Sequence, residues 1–231
     1  MRSSVQNALL VAVAIIVSTA LVWAAIIPYS QDFEGLDQGN PDALANDGWL
    51  VFGNVFAADG VTYLYGYGPY PAPNGGPGFC AIAAGEGGPD QGAQQLVVYS
   101  DYNNGDQEGF IIEANVFQEQ TIDAGDVGAT VEFSFDAKLG DLAGTSSALA
   151  FIKTIDPAND YATTNFVTAD MTAIPTTWGS YFIQLPIDAG LVGQILQFGF
   201  SARATNYEPS GVFYDNINQP VPVDLMSVTI E

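Results

Sequence analysis

Seventeen residues from Tyr63 to Phe79, YLYGYGPYPAPNGGPGF, carry four tyrosines, four prolines, five glycines and no charge. Tyr63, Tyr65 and Tyr67 stand two apart, so an extended chain would put them on one face. Tyr70 follows beyond Gly68-Pro69. A tyrosine offers an apolar ring with a polar tip at little rotameric cost. Such a row can stack on the apolar C–H face of a sugar while neighbouring Asp and Asn side chains pair with its hydroxyls. Partners of that kind stand in VVYSDYNNGDQEG, namely Tyr99, Asp101, Tyr102 and Asn103, with Asn104 and Asp106 behind them. The same row also reads as the inward face of a sheet, whose glycines let another strand approach closely. The stretch PYPAPNGGPG reads as a stiff surface loop that displays whatever it carries.

The second source of chemistry is the carboxylates. Glycoside hydrolysis needs two acids about 5–10 Å apart, one with a raised pKa. The chain has 26 acids, so some pairs are close by chance, but none stands in a recognisable catalytic run. Glu113 and Glu119 in EANVFQEQ are an even number of residues apart and so can share a strand face. The chain has no histidine and one cysteine. That excludes serine or cysteine catalysis through imidazole, and zinc sites built on imidazole or thiolate. Cys80, inside the apolar run GFCAIAAG, reads as a small buried hydrophobe.

The elements that must position these residues alternate with period two. ATVEFSFDAKL puts Val131, Phe133, Phe135 and Ala137 on one face, and Glu132, Ser134, Asp136 and Lys138 on the other. ILQFGFSARA does the same with Leu196, Phe198, Phe200 and Ala202 inward. These are half-buried antiparallel strands. GFIIEANVFQEQTI, SALAFIKTI, SYFIQLPI and GVFYDNI read as further strands, and QQLVVYS and GFCAIAAG as more deeply buried ones. Turn signals separate them, and only NPDALAND reads as a helical turn. Ten or more short strands at this spacing predict an all-β fold, an antiparallel β-sandwich. No internal repeat and no dividing linker is evident. QPVPVDLMSVTIE reads as a final strand or a tail.

The chain of 231 residues begins with Arg2 and an apolar run from Ala8 to Val22. That is the pattern of a secretory signal, with a cut expected near Ala24/Ala25. The rival reading is an uncleaved anchor, since about 20 apolar residues can span a bilayer. Residues 1–24 are therefore expected to be a signal peptide and 25–231 a single domain, secreted or at the cell surface, on a bacterial exterior or in a periplasm. The net charge is −22, with four basic residues, and losing Arg2 would make it more negative. Such a surface repels nucleic acid and anionic membrane. High ionic strength or bound cations would relieve its self-repulsion.

YSQDFEGL (Tyr29–Leu36) opens the expected domain, Trp49 follows an acidic loop, and GVFYDNI (Gly211–Ile217) nearly closes it. VEFSFDAK and TTWGSYFIQL lie between. In this order, over about Tyr29 to Asn218, the chain resembles carbohydrate-binding modules of the jelly-roll type, the CenC-like and galactose-binding-like group. There a DFE…W opening meets a late FYxDDV strand. The resemblance implies a non-catalytic jelly-roll sandwich whose partner is a polysaccharide or cell-surface glycan. It also implies a structural calcium where the first and last strands meet, on Glu34 and Asp215, with Asp32 a weaker candidate. Where the family has paired acids this chain has Asp215-Asn216, so one negative charge is missing. Calcium takes about 6–8 oxygen ligands. Two readings of another class stay open: a structural or adhesive surface protein that associates with itself, and a small glycosidase or lyase.

Overall fold

The structure is a computed structural model that describes residues 26–73, 78–100, 109–205 and 208–220. The expected signal segment, the 74–77 part of the Pro-Gly loop and the final stretch 221–231 lie outside the described residues.

In chain order the strands are β1 (Tyr29–Gln31), β2 (Leu50–Phe56), β3 (Tyr63–Pro71), β4 (Cys80–Ala84), β5 (Gln94–Val98) and β6 (Ile111–Thr121). There follow β7 (Thr130–Leu142), β8 (Ser147–Asp156), β9 (Ala162–Asp170), β10 (Gly179–Pro186), β11 (Ile195–Thr205) and β12 (Ser210–Gln219). One short helix, α1 (Ala43–Asn46), occupies the expected helical turn. The first sheet runs β10-β7-β12-β5-β4, with β1 added beside β12; the second runs β3-β2-β6-β11-β8-β9. All pairings are antiparallel, and the two sheets form a jelly-roll sandwich. Within the described residues every strand read from the sequence is present. Strands β2 and β9 were not among those read.

The inward residues of β7 and β11 meet between the sheets. Phe133 lies 5.3 Å from Phe198 and 5.4 Å from Phe200, ring centre to ring centre. Phe200 stacks on Tyr214 of β12 at 3.6 Å, and Trp49 stacks on Phe200 at 6.4 Å. None of these rings is exposed. A buried side chain of this size contributes about 1.5–3 kcal/mol, so this layer holds the sheets face to face. Cys80 is buried at its edge, and burial raises its thiol pKa.

Tyr29 donates to Asp47 Oδ2 at 2.5 Å, and Trp49 Nε1 donates to the same oxygen at 3.2 Å. Gln118 Nε2 donates to the Asp47 carbonyl at 3.0 Å. This network ties β1 and the loop before β2 to the second sheet. Ile26 is already in the core, so the chain enters the fold just beyond the expected cleavage point.

The structure also exposes a short internal repeat that the sequence reading missed. IDAGDVG (122–128) and IDAGLVG (187–193) each make a 3₁₀ turn behind an Asp N-cap. They lock together through paired backbone bonds. Gly193 N donates to Ile122 O and Ile122 N to Gln194 O; Gly128 N donates to Ile187 O and Ile187 N to Ala129 O. Both segments cross between sheets, from β6 to β7 and from β10 to β11, so one local solution serves two corners.

Gly199, at the centre of β11, is required by its neighbours. A Cβ there would lie 2.2 Å from the Val116 carbonyl and 2.7 Å from Phe117 Cα. Gly199→Ala should therefore cost about 2–3 kcal/mol, a fall of roughly 4–10 °C in melting temperature for a domain of this size. Differential scanning calorimetry checks this; an unchanged melt would show that the two strands can part there freely.

Candidate functional site

Two places on the sandwich bring functional groups together. The first lies where β1 and β12 meet. β1 pairs with the end of β12, Gln31 opposite Ile217, which brings Asp32 and Glu34 beside Asp215. Asp215 stands opposite Asp136 of β7 on the outer face of the first sheet. The 86–92 loop covers it, through Gln91 Nε2 to Asp136 at 2.7 Å and Asn216 Nδ2 to the Asp90 carbonyl at 3.0 Å. Asp215 is fully buried. Burial pushes its carboxyl up to about 7; the bond from Asn216 N opposes this, and the charges of Asp32, Glu34 and Asp136 reinforce it. Its Oδ1 accepts from Asn216 N at 2.7 Å, and its Oδ2 has no partner among the described residues.

The other acids there are occupied. Glu34 Oε1 accepts from Ala93 N and Gln94 N, each at 2.7 Å, and so clamps the start of β5. Asp136 accepts from Ser180, Gln91 and Asn216. Among the described residues no three acids or thiols converge on one point. The feature of this junction that would suit a cation is Asp215 Oδ2, a buried acceptor near Asp32, Glu34 and Asp136 with no partner among the described residues. The Asn216 amide nitrogen is committed to Asp136 and Asp90, so only its oxygen could serve. Asp136 was read from the sequence only as an outward strand residue; its pairing opposite Asp215 was not legible there.

The second place is a groove of about 610 Å³ on the outer face of the second sheet. Phe52, Asn54, Tyr63 and Pro69 line it on one side, Phe117, Glu119 and Gln197 along its floor, and Lys153, Tyr161 and Thr163 on the other. Register places Lys153, Gln197 and Glu119 in one row across β8, β11 and β6. Gln197 Nε2 donates to Glu119 at 2.8 Å, and Asn54 Nδ2 donates to Glu113 at 2.9 Å. The Phe52 ring fits because β3 has no side chain at Gly66, where a Cβ would meet that ring at 2.6 Å and the Tyr63 hydroxyl at 2.8 Å.

The tyrosine row does not share one face. Pairing along β2 and β3 shifts between Val55 and Phe56, so that Tyr63 opposes Phe56 while Tyr65 opposes Val55. The extra residue, Leu64, forms a β-bulge, and a one-residue slip reverses every later side chain. Tyr63 therefore turns to the groove, and Tyr65 and Tyr67 turn to the inner side. Tyr67 is half-buried over Gly53 and lies 5.9 Å from Phe79. Tyr65 and Tyr70 remain 40% and 44% exposed because β3 is an edge strand. Tyr99 is half-buried on the first sheet, its hydroxyl 3.4 Å from the Cys80 carbonyl. Asp101, Tyr102 and Asn103 lie outside the described residues. Of the described members of the expected ring platform, only Tyr63 lines the groove. Phe52, Phe117, Lys153 and Gln197 were missed, although the alternation of Leu196–Ala202 leaves Gln197 on the outward face.

No protein-family model and no curated protein sequence matches the chain. Among solved structures it is similar to the enzymatically active domain of tailspike protein 4 of bacteriophage CBA120, with 13% identity over 80% of this chain and 21% of that chain, and a TM-score of 0.45. It is similar to the CBM22-1 and GH10 modules of the Clostridium thermocellum endo-1,4-beta-D-xylanase 10B, with 10% identity over 90% of this chain and 30% of that chain, and a TM-score of 0.43. It is also similar to a xylan-binding domain from CBM 22, with 14% identity over 86% of this chain and 96% of that chain, and a TM-score of 0.44. The chain spans about a fifth and about a third of the first two structures.

The split of the tyrosines has a direct consequence for stability. Tyr67→Ala should cost about 1–2 kcal/mol by opening a gap over Gly53, whereas Tyr63→Ala and Tyr65→Ala should each stay within about 0.5–1 kcal/mol of native. Urea denaturation of the three variants measures this. Equal losses in all three would mean that Tyr67 is no better packed than the two exposed tyrosines.

Proposed function

We propose that the protein binds a glycan in the groove on the outer face of its second sheet, without acting on it. The observation that carries this reading is the groove itself: an open trough with ring faces from Phe52, Tyr63 and Tyr161 beside amide and charged groups from Asn54, Gln197, Glu119 and Lys153. Rings meet the apolar faces of sugars, and planar amides and carboxylates meet their hydroxyls. Glu113 and Glu119 share the strand face but stand six residues apart, about 20 Å along the strand. A hydrolytic pair needs about 5–10 Å. Each of the two also accepts from an amide rather than standing in an apolar pocket. Export through the N-terminal apolar run would place such a site outside the cell, where polysaccharides and cell-surface glycans are met.

The exposed edge of β3, with Tyr63 at 54%, Leu64 at 41% and Tyr70 at 44%, favours a second reading, in which copies of the chain pair edge to edge. The net charge of −22 opposes it at low salt.

We read calcium as a structural ion at the junction of the chain ends. Asp215 would hold it, with Glu34, Asp32 and carbonyl oxygens of the junction completing the shell. Its contribution would be to neutralise a buried carboxylate and to pin the first strand to the last. Closing so long a loop constrains the unfolded chain most.

Affinity electrophoresis across a panel of soluble polysaccharides tests the first reading. Tyr63→Ala should weaken retention about tenfold with an unchanged melt, while Tyr65→Ala should leave retention at the native value. Loss on Tyr65→Ala alone would move the site to the opposite side of β3.

Thermal melts with calcium or with chelator test the ion. Calcium at about 100 times its Kd should raise the melting temperature by about 5–10 °C. Asp215→Asn should abolish that rise, yet in chelator should melt no lower than native, because the amide removes a buried charge. Identical native melts in both conditions would end the calcium reading.

A further inference from the structure

The groove holds a buried acceptor that has no hydrogen-bond partner among the described residues, beside an ammonium that makes no ion pair among them. Gln197 Nε2 donates to Glu119 Oε2 at 2.8 Å. A carboxylate only accepts, so that bond fixes which end of the amide is nitrogen and turns Oε1 away. Gln197 Oε1 is buried and has no hydrogen-bond partner among the described residues. The whole residue is 6% exposed. An orphaned buried acceptor is costly unless something supplies a donor.

The complementary group stands directly opposite on the next strand. Lys153 pairs in register with Gln197, yet no hydrogen bond joins them. Its ammonium lies over the rings of Phe117 and Phe151, 5.9 Å and 5.4 Å from their centres. The one ion pair among the described residues is Lys138 with Glu86. Lys153 thus makes no ion pair with a carboxylate among the described residues. Burial lowers its pKa, and the charges of Glu113 and Glu119 act against that lowering.

We infer that Lys153 and Gln197 form a subsite for one hydroxyl of the ligand, which accepts from the Lys153 ammonium and donates to Gln197 Oε1. The inference rests on reading the groove as a glycan site, and it adds the class of glycan: the ring seated over this row is neutral. A hydroxyl both donates and accepts, so one group meets both demands. A uronate carboxylate or a sulfate only accepts. It would satisfy Lys153, but it would face Gln197 Oε1 with a second acceptor and come up beside Glu119. The overall charge of −22 adds to that penalty. The register makes the pair specific: shifting either strand by one residue would turn one of the two side chains into the core.

The test uses the full chain on an array of neutral, uronic-acid and sulfated oligosaccharides. Titration calorimetry of the best-retained neutral oligosaccharide then follows, against native protein, Lys153→Met, Gln197→Leu and the double variant, with thermal melts to confirm folding. Neutral oligosaccharides should be retained and acidic ones not. Each single variant should weaken binding about tenfold or more. The double variant should fall little below the weaker single, because one hydroxyl serves both residues. Lys153→Gln, polar and uncharged, replaces Lys153→Met should the latter not fold, and should show a similar loss. Preference for acidic oligosaccharides, native-like binding by the variants, or fully additive losses would overturn the subsite and leave the glycan reading standing. Retention of no oligosaccharide would overturn both.

Discussion

The stack of Phe200 on Tyr214, 3.6 Å between ring centres, is the contact on which the rest of the molecule depends. It joins the middle of one sheet to the middle of the other. β11 has β6 and β8 as neighbours, and β12 has β7 on one side and β5 and β1 on the other. Fixing these two strands face to face fixes the inward residues of both sheets, and so which residues are left outward. Tyr214 has its hydroxyl buried without a partner, and burial raises its pKa. The protein tolerates that cost where ring packing is densest.

Both candidate sites are consequences of this inward commitment. Asp215 follows Tyr214, so it must point outward, and there it becomes buried only because β1 and the 86–92 loop cover it. On the other sheet, alternation leaves Lys153, Gln197 and Glu119 outward in one row once Ile152, Phe198 and Gln118 point in. The carboxylates of this face are bridged by amides rather than by bases. With so few cations in the chain, amide donors take over the work of positioning acids. That leaves a strongly acidic protein with one face on which charge is locally managed.

Legibility differed between the fold and the sites for one physical reason. Alternation over Val131–Ala137 and Leu196–Ala202 is a local pattern, enforced by burial, and it survives in the structure unchanged. The tyrosine row looked like the same kind of pattern but was not, because Leu64 forms a bulge on an edge strand that packing does not hold in register. The turn pair IDAGDVG and IDAGLVG was visible as letters, yet its meaning lies in reciprocal bonds between segments 65 residues apart in the chain. β9 escaped notice because an edge strand with exposed Thr residues and an exposed Phe166 sets only Val167 and Ala169 against the core, a short apolar face.

The sequence alone determined that the chain is an all-β sandwich with aromatic inner faces, strongly acidic and without imidazole chemistry. It determined these because they follow from residue type and from periods of two, which the backbone imposes locally. Only the tertiary structure decided that Asp215 is buried with an unmet oxygen, that Tyr63 parts company with Tyr65 and Tyr67, and that Lys153, Gln197 and Glu119 form a row. Those facts depend on strand register and on which loop lies over which strand. Register is settled by packing among distant residues, and no stretch of the chain contains it.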